Sequence, residues 1–415
     1  MKNSIRKTLS LALAIAAALA LSVFMPLMAA AEDTDTPASS QYIGFEDVEA
    51  SVMSGNLTVL SLQENIDMIG ELDYDALQQD LLSAMNQLAD AQWILSSAIS
   101  MGFSNDNYHL DQINSQWNSL NDQYEAIKDG TTKKNNDEAQ WLMRNTQKQL
   151  VMAAESLYMT EKTLEVSRAS LIRQAAALDR TKAEMNVRYS NGQVSQLNIA
   201  ELENGAVQLE SGKATLEMNM EVLSLQLKNL LGIDLGKDIV LGDPAIPDAS
   251  ALAGMDLEND LATAKANSYD LYDAKKTLDA AEDDLKEAQD KFDYYERPDS
   301  STRRNADHSW NSAKYTYDAA VRTFELNFRT LYAKVKDYAQ VYDAAKTALQ
   351  TEEKAYEADK IRYSYGTISQ NVLKTAEDDL AAARDKVRTS GFDLAAAYRQ
   401  YTHAVKDGII SSAGN

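Results

Sequence analysis

The chain is predicted to be all-α, built as two repeated long antiparallel helical-hairpin modules that form an elongated coiled-coil bundle. Three observations predict this. Leucine and alanine recur in alternating four-and-three steps along most of the 415 residues, the seam of packed helices. Glycine (16) and proline (5) are scarce, which suits long uninterrupted helices. One nine-residue stretch occurs twice, 174 residues apart: Arg188-Tyr189-Ser190-Asn191-Gly192-Gln193-Val194-Ser195-Gln196 and Arg362-Tyr363-Ser364-Tyr365-Gly366-Thr367-Ile368-Ser369-Gln370, with six positions identical. Each copy lies between two heptad-patterned stretches and reads as the tight turn of a hairpin. The glycine supplies the positive φ that ends one helix, and the serine three residues later caps the next.

Residues 1–31 read as a secretory signal. Lys2, Arg6 and Lys7 precede an apolar run from Leu9 to Met28, and Ala29-Ala30-Ala31 fits a small-residue cleavage site. The alternative is an uncleaved anchor, since the run is long enough to span a bilayer. Cleavage takes the net charge from −23 to −26. Residues 32–44 are polar and read as a linker, followed by a short amphipathic segment, Phe45–Met53.

The first repeat is set at 45–231. Leu81, Leu88 and Leu95 form a seam with Leu77, Ala84, Ala91 and Ala98. Met101–Tyr108 interrupts it, and Leu110, Trp117 and Tyr124 resume it beside Ile113, Leu120 and Ile127. A second polar break, Asp129–Asn136, precedes a helix expected from about Ala139 to Tyr189, with Leu150, Leu157, Leu164, Leu171, Leu178 and Met185 at intervals of seven. Beyond the first turn the seam runs through Leu202, Leu209, Leu216, Leu223 and Leu230.

Residues 232–256, with Gly232, Gly236, Gly242, Pro244, Pro247 and the apolar Ile239-Val240-Leu241, have linker or short-strand character. The second repeat, 257–407, repeats the plan. Leu271, Leu278, Leu285 and Phe292 lead out, and Glu296–Asp307 reads as a polar hairpin loop. Trp310, Tyr317, Phe324, Leu331 and Tyr338 lead back. Leu373, Leu380, Val387, Leu394 and Tyr401 follow the second turn. Residues 408–415 read as a frayed tail.

The chain has no cysteine, which excludes disulfides, thiolate metal sites, cysteine nucleophiles and the acylated cysteine of a lipoprotein. The acidic balance argues against nucleic-acid binding. Of the 20 tyrosines many lie on the second return helix, where their seven-residue spacing is read as packing. His109, His308 and His403 have no partner histidine at helical spacing, so solvated surface is their default reading and no metal is expected. Glu282-Asp283-Asp284 and Glu377-Asp378-Asp379 lack the alternating ligands of a calcium loop and read as solvated helix faces. No nucleophile–base constellation, Walker loop or dinucleotide fingerprint is present, so neither an enzyme nor a cofactor is expected.

The doubled Arg-Tyr-x-x-Gly-x-x-Ser, with Leu202 and Leu209 after the first copy, Ala376 and Leu380 after the second, and Leu230-Leu231-Gly232 closing the first half, resembles the TolC-like outer-membrane efflux proteins over most of the chain after the leader. The resemblance implies a passive exit duct of an efflux or type I secretion machine. In that family three protomers close into an α-helical tunnel whose turns dock a membrane-fusion adaptor of an inner-membrane pump. Arg188, Tyr189, Gly192, Val194 and Ser195, with Arg362, Tyr363, Gly366, Ile368 and Ser369, would form that adaptor-facing tip. It also implies export to the cell envelope: outer membrane and periplasm, or the cell-wall side where no outer membrane exists.

Two departures are visible. Barrel strands need about 9–11 alternating residues, and the two candidate places, Met101–Asn136 and Tyr294–Asp307, do not alternate, so no membrane barrel is expected. The family often carries acids just past the turn, whereas this chain has Asn198, and Asn371 followed by Lys374. The alternative reading is a secreted helical spacer or scaffold of the envelope without a pore.

Overall fold

The computed structural model describes residues 41–294 and 301–410, the side chains of 292–294 aside. The expected leader, most of the linker after it and residues 295–300 lie outside them. Eleven helices are described: α1 (Val48–Gly55), α2 (Leu57–Gly70), α3 (Tyr74–Ser100), α4 (Asn107–Lys128), α5 (Thr131–Ser190), α6 (Gln196–Leu231), α7 (Ala249–Ala253), α8 (Leu257–Asn267), α9 (Tyr269–Tyr294), α10 (Ser301–Ser364) and α11 (Gln370–Asp407). A single 3-10 turn, Phe45–Asp47, precedes α1. The 60 residues of α5 and 64 of α10 correspond to about 90 Å and about 96 Å at 1.5 Å per residue.

Four long helices pack side by side in the order α6, α5, α11, α10. Arg168 of α5 pairs with Glu217 of α6 at 3.2 Å, and Lys182 with Glu203 at 3.2 Å. On its other flank α5 runs antiparallel to α11. Arg173 meets Asp385, Arg180 meets Asp378, and Glu155 meets His403 at 2.9 Å. Every step along α5 is matched by an equal and opposite step along α11, so the register does not slip over this span.

Two three-residue strands, β1 (Gln41–Ile43) and β2 (Ile239–Leu241), pair in parallel with Ile43 opposite Leu241. They are the only strands among the described residues. The fully buried Tyr158 of α5 fastens them, its hydroxyl lying 2.9 Å from the Ile43 carbonyl and 2.8 Å from that of Gly242. The stretch read as a linker therefore contains an ordered strand at Gln41–Ile43. The pairing partner lies nearly two hundred positions away, where no local pattern reveals it.

Two apolar cores flank α11. The first gathers Ile43, Phe45, Val48, Val52 and Val59 with Val151, Ala154 and Tyr158, Leu227 and Leu231, and it takes Phe392 and Ala395 from α11. The second gathers Met255, Leu261, Ala264 and Leu271 with Phe324, Phe328, Leu331 and Val335, and it takes Leu394, Ala397, Tyr401 and Ala404 from α11. A helix buried on two sides hides more than one seam, and this corrects the reading of His403 as solvated. It is 5% exposed, with Nε2 2.9 Å from Glu155 and Nδ1 2.8 Å from Asp407. Burial would lower its pKa, but the hydrogen bonds to Asp407 and Glu155 outweigh that and raise it. Arg399 joins the group, 2.7 Å from Glu155 and 3.0 Å from Glu49, which also pairs with Lys148.

The two halves end in the same joint. Asn56 caps α2 by accepting from Thr58 and Val59, and its amide donates to the Leu230 carbonyl at 3.0 Å. Asn267, at the break between α8 and α9, donates to the Val405 carbonyl at 3.0 Å. Gly232 and Gly408 close α6 and α11 with φ of 68° and 67°. A Cβ at Gly232 would lie 2.0 Å from the Gly55 carbonyl oxygen, and one at Gly408 2.3 Å from the backbone of Asn267 and Ser268. Gly408, read as the start of a tail, is buried, and Ile410 packs on the second core.

The two longest helices start earlier than their seams. α5 begins at Thr131, because the Asp129 carboxylate accepts the Thr131 N–H at 2.8 Å and the break shrinks to two residues. Its first turns are polar but solvated, with Lys133 and Asp137 paired one turn apart at 3.1 Å. α10 begins at Ser301, so Arg303, Arg304 and Asp307 of the expected loop are helical. Of the two places weighed for barrel strands, Met101–Asn136 is occupied by α4 and the first turns of α5.

Candidate docking end

The two repeated stretches fold into nearly identical turns. At the end of α5, Gly192 has φ of 70°, its N–H donates to the Tyr189 carbonyl at 2.9 Å, and the Gln193 N–H reaches the Arg188 carbonyl at 2.9 Å. At the end of α10, Gly366 has φ of 69°, its N–H donates to Tyr363 at 2.9 Å, and Thr367 reaches Arg362 at 3.0 Å. Both are the double closure of a left-handed cap, which satisfies the last carbonyls of the helix. Ser190 and Ser364 each donate a hydroxyl to the carbonyl three residues back.

The following helices start alike. Ser195 and Ser369 sit in extended backbone and accept the N–H of Asn198 and Val372 at 3.4 Å. Asn198 returns the bond by accepting the Ser195 N–H at 3.2 Å, closing a capping box. Val194 and Ile368 point partly inward and are half-buried. Arg188 pairs with Glu184 at 2.5 Å and Arg362 with Asp359 at 3.0 Å, each on its own helix.

Both turns lie at the same end. Asn371, just past the second turn, donates to Glu184, just before the first, at 3.2 Å. Arg180–Asp378 and Arg173–Asp385 follow at seven-residue steps, so the hairpins are cross-linked by ion pairs for their last turns. The sequence reading missed these pairs. Their signal is present: two arginines seven apart on α5 and two aspartates seven apart on α11, one face of each helix. It brackets Asp378, read as part of a solvated acidic run, which is in fact partly buried against Arg180.

The face left over is apolar and aromatic. Tyr189 is 45% exposed and Tyr363 41%, with Val187 and Ile361 more open still and Tyr365 and Leu197 beside them. Glu357 raises the pKa of Lys360 by a hydrogen bond, and Glu377 does the same for Lys374, so the apolar patch is ringed by paired charges. Open apolar and aromatic side chains, paired charges around them and capped backbone thus meet at this end. Of the other histidines, His109 is exposed beside Asp106 and His308 is exposed. Among the described residues no group of three His, Cys, Asp or Glu could hold a metal ion.

No protein-family model and no curated protein matches the chain. Solved structures do. The Campylobacter jejuni CmeC outer membrane channel aligns with a TM-score of 0.51 at 12% identity, over 95% of this chain and 95% of that one. The Vibrio cholerae outer membrane protein VceC aligns with a TM-score of 0.49 at 11% identity, over 87% of this chain and 95% of that one. The fold therefore resembles that of a bacterial outer-membrane channel, and the likeness at these identities is one of fold.

Proposed function

We propose that the chain is a TolC-like exit-duct component, in which copies close into a passive α-helical tunnel and the two turns dock a pump adaptor. The observation that carries this is the state of the two outermost helices. On α6, Val207, Ala214, Met218, Val222 and Leu225 form a seam at steps of seven, four, four and three, and all face solvent. On α10, Val341, Ala344, Ala348 and Ala355 do the same at steps of three, four and seven. A seam with this spacing is made for a helix partner, and here both partners are missing from opposite edges of one wall. Edge-to-edge packing of one copy's α6 on the next copy's α10 is heterologous and closes a ring if the rotation returns on itself.

In this reading repeats 45–231 and 257–407 each contribute one hairpin to the wall, and three copies complete it. Export by residues 1–31 puts the duct in the cell envelope, with an adaptor and an inner-membrane pump as partners. The tip residues Arg188, Tyr189, Gly192, Val194 and Ser195, and Arg362, Tyr363, Gly366, Ile368 and Ser369, face the adaptor. A poreless helical spacer is the second reading, favoured by α4 being helical where a barrel strand pair was weighed.

Imaging of the purified chain, with sedimentation to count copies, tests the proposal. The expected result is a ring that Met218→Glu with Val222→Glu disperses. Gly192→Val with Gly366→Val should leave the ring but abolish adaptor docking. No atom lies within 4 Å of either added Cβ, so the cost is confined to backbone strain at the turns, on the order of 1–3 kcal/mol each. A rod that stays monomeric at every concentration removes the duct, and docking unchanged in the double glycine variant removes the tip.

A further inference from the structure

The opposite end of α5 carries an unexplained feature. α2 runs beside α5, with Gln147 donating to the Val59 carbonyl at 3.2 Å, and α3 starts against α5, with Asn136 donating to the Tyr74 hydroxyl at 2.9 Å. From there α3 continues past the start of α5, and α4 returns to Gly130. The α3–α4 hairpin is thus an arm projecting from the end of α5 that is farthest from Gly192. Its 27-residue outgoing helix spans about 40 Å.

The end of this arm is apolar and open. Trp93 is 71% exposed, Ile94 63%, Met101 68%, Phe103 83% and Tyr108 69%. Trp93, Ile94 and Met101 fall within one 100° sector at 100° per residue. Phe103 sits in the connecting loop and Tyr108 in the first turn of α4. Residues 91–105 hold no charged side chain, in a chain where 25% of residues are charged. The run is bounded by Asp90 and by Asp106, which caps α4 and pairs with His109.

We propose that this end rests in the headgroup region of a net-neutral lipid surface. An uncharged knob flanked by acids matches such a surface by depth. The charge-free last ten residues of α3 measure about 15 Å, enough to seat an apolar face roughly 5–10 Å deep while Asp90 stays in water. Tryptophan and tyrosine favour the headgroup level, where one side of the ring is apolar and the other wet.

Charge rules against two other occupants, a second copy of the arm and an anionic membrane. No lysine or arginine occurs between Lys7 and Lys128, while the arm carries Asp75, Asp80, Asp90, Asp106, Asp111, Asp122 and Glu125. Two such arms repel, as does an anionic membrane. The inference does not depend on the ring: a monomer would show the same contact.

The test uses the absence of cysteine. Phe103→Cys in the full chain carries a single environment-sensitive dye, and Glu353→Cys on α10 serves as the control site. Adding phosphatidylcholine vesicles should blue-shift the dye at 103 and raise its emission at least twofold. Nitroxide-bearing lipid should quench it, while the dye at 353 does not respond. Because the label reads its own position, a leader that brings the chain to the vesicle does not imitate the result. Adding Met101→Asp should abolish the response without changing the copy number. Silence at 103 with saturating vesicles overturns the proposal. So does a response to anionic vesicles alone, an equal response at 353, or a shift that appears on concentrating the protein without lipid, which marks a second copy.

Discussion

The helices α5 and α11 touch along most of their length, but the two ends of that contact are held differently. Near the turns the ion pairs Arg180–Asp378 and Arg173–Asp385 are partly buried, and the Asn371–Glu184 hydrogen bond is exposed. At the joint the same two helices meet through Glu155 and His403, 6% and 5% exposed, with Arg399 reaching across to Glu49 on α1. Pairs that solvent still reaches are screened and individually weak, whereas a buried charge that loses its partner is costly. One helix pair thus has a fixed end and a releasable end, and the releasable one carries the matched turns.

Removing the acid at the fixed end should have the largest effect. Glu155→Ala leaves Arg399 and His403 facing each other without their shared carboxylate, and is expected to cost about 3–5 kcal/mol, measured by urea unfolding. A fully stable variant breaks the contrast between the ends.

The second effect is a pH dependence. The folded pKa of His403 is raised above its ordinary 6.5. Its protonated form is therefore the one the fold stabilises, and that stability is complete below about pH 6.5 and lost as pH climbs through the raised value. The charged groups acting on it are Asp407 and Arg399 on α11 and Glu155 on α5, with Glu49 on α1 and its partner Lys148 beyond Arg399. The melting temperature of the wild type should fall, as pH rises above about 6.5, by more than that of His403→Gln. Parallel curves would show that the imidazole enters the fold uncharged.

The smallest effect belongs to the releasable end. Arg173→Ala and Arg180→Ala should each cost up to about 1 kcal/mol and leave the melting temperature nearly unchanged. Amide exchange should rise in the last turns of α5 and the first turns of α11, and stay unchanged around Val151 and Leu394. Equal acceleration at both ends would mean the pairs hold the whole wall rather than its tip.

The turns were legible because each is a local instruction: a glycine, a serine three positions on, and a seam on either side. The seams too could be read, since seven-residue spacing survives whatever the helix packs against. His403 could not. A seam marks one buried face, and α11 has two, a fact that belongs to its neighbours rather than to its own spacing. The arginine pairs at the turns needed both helices aligned before Arg180 and Asp378 could be matched. The starts of α5 and α10 were hidden because solvated polar turns look like loops until a contact such as the Asp129 carboxylate on the Thr131 N–H is seen in place. The seam read on α6 was Leu202 to Leu230; the second apolar stripe beside it went unread, and only the structure shows Met218 and Val222 open to solvent.

Gly232 and Gly408 press so closely on Gly55 and on Asn267–Ser268 that neither site has room for a methyl group. Each half of the chain is thereby tied, beginning to end, into a closed circuit. A circuit of that kind can be copied whole, because the new piece brings its own fastening and asks nothing of what precedes it. It can also be reopened elsewhere with new ends, as segments whose extremities meet allow, and the open loop at either turn offers the place.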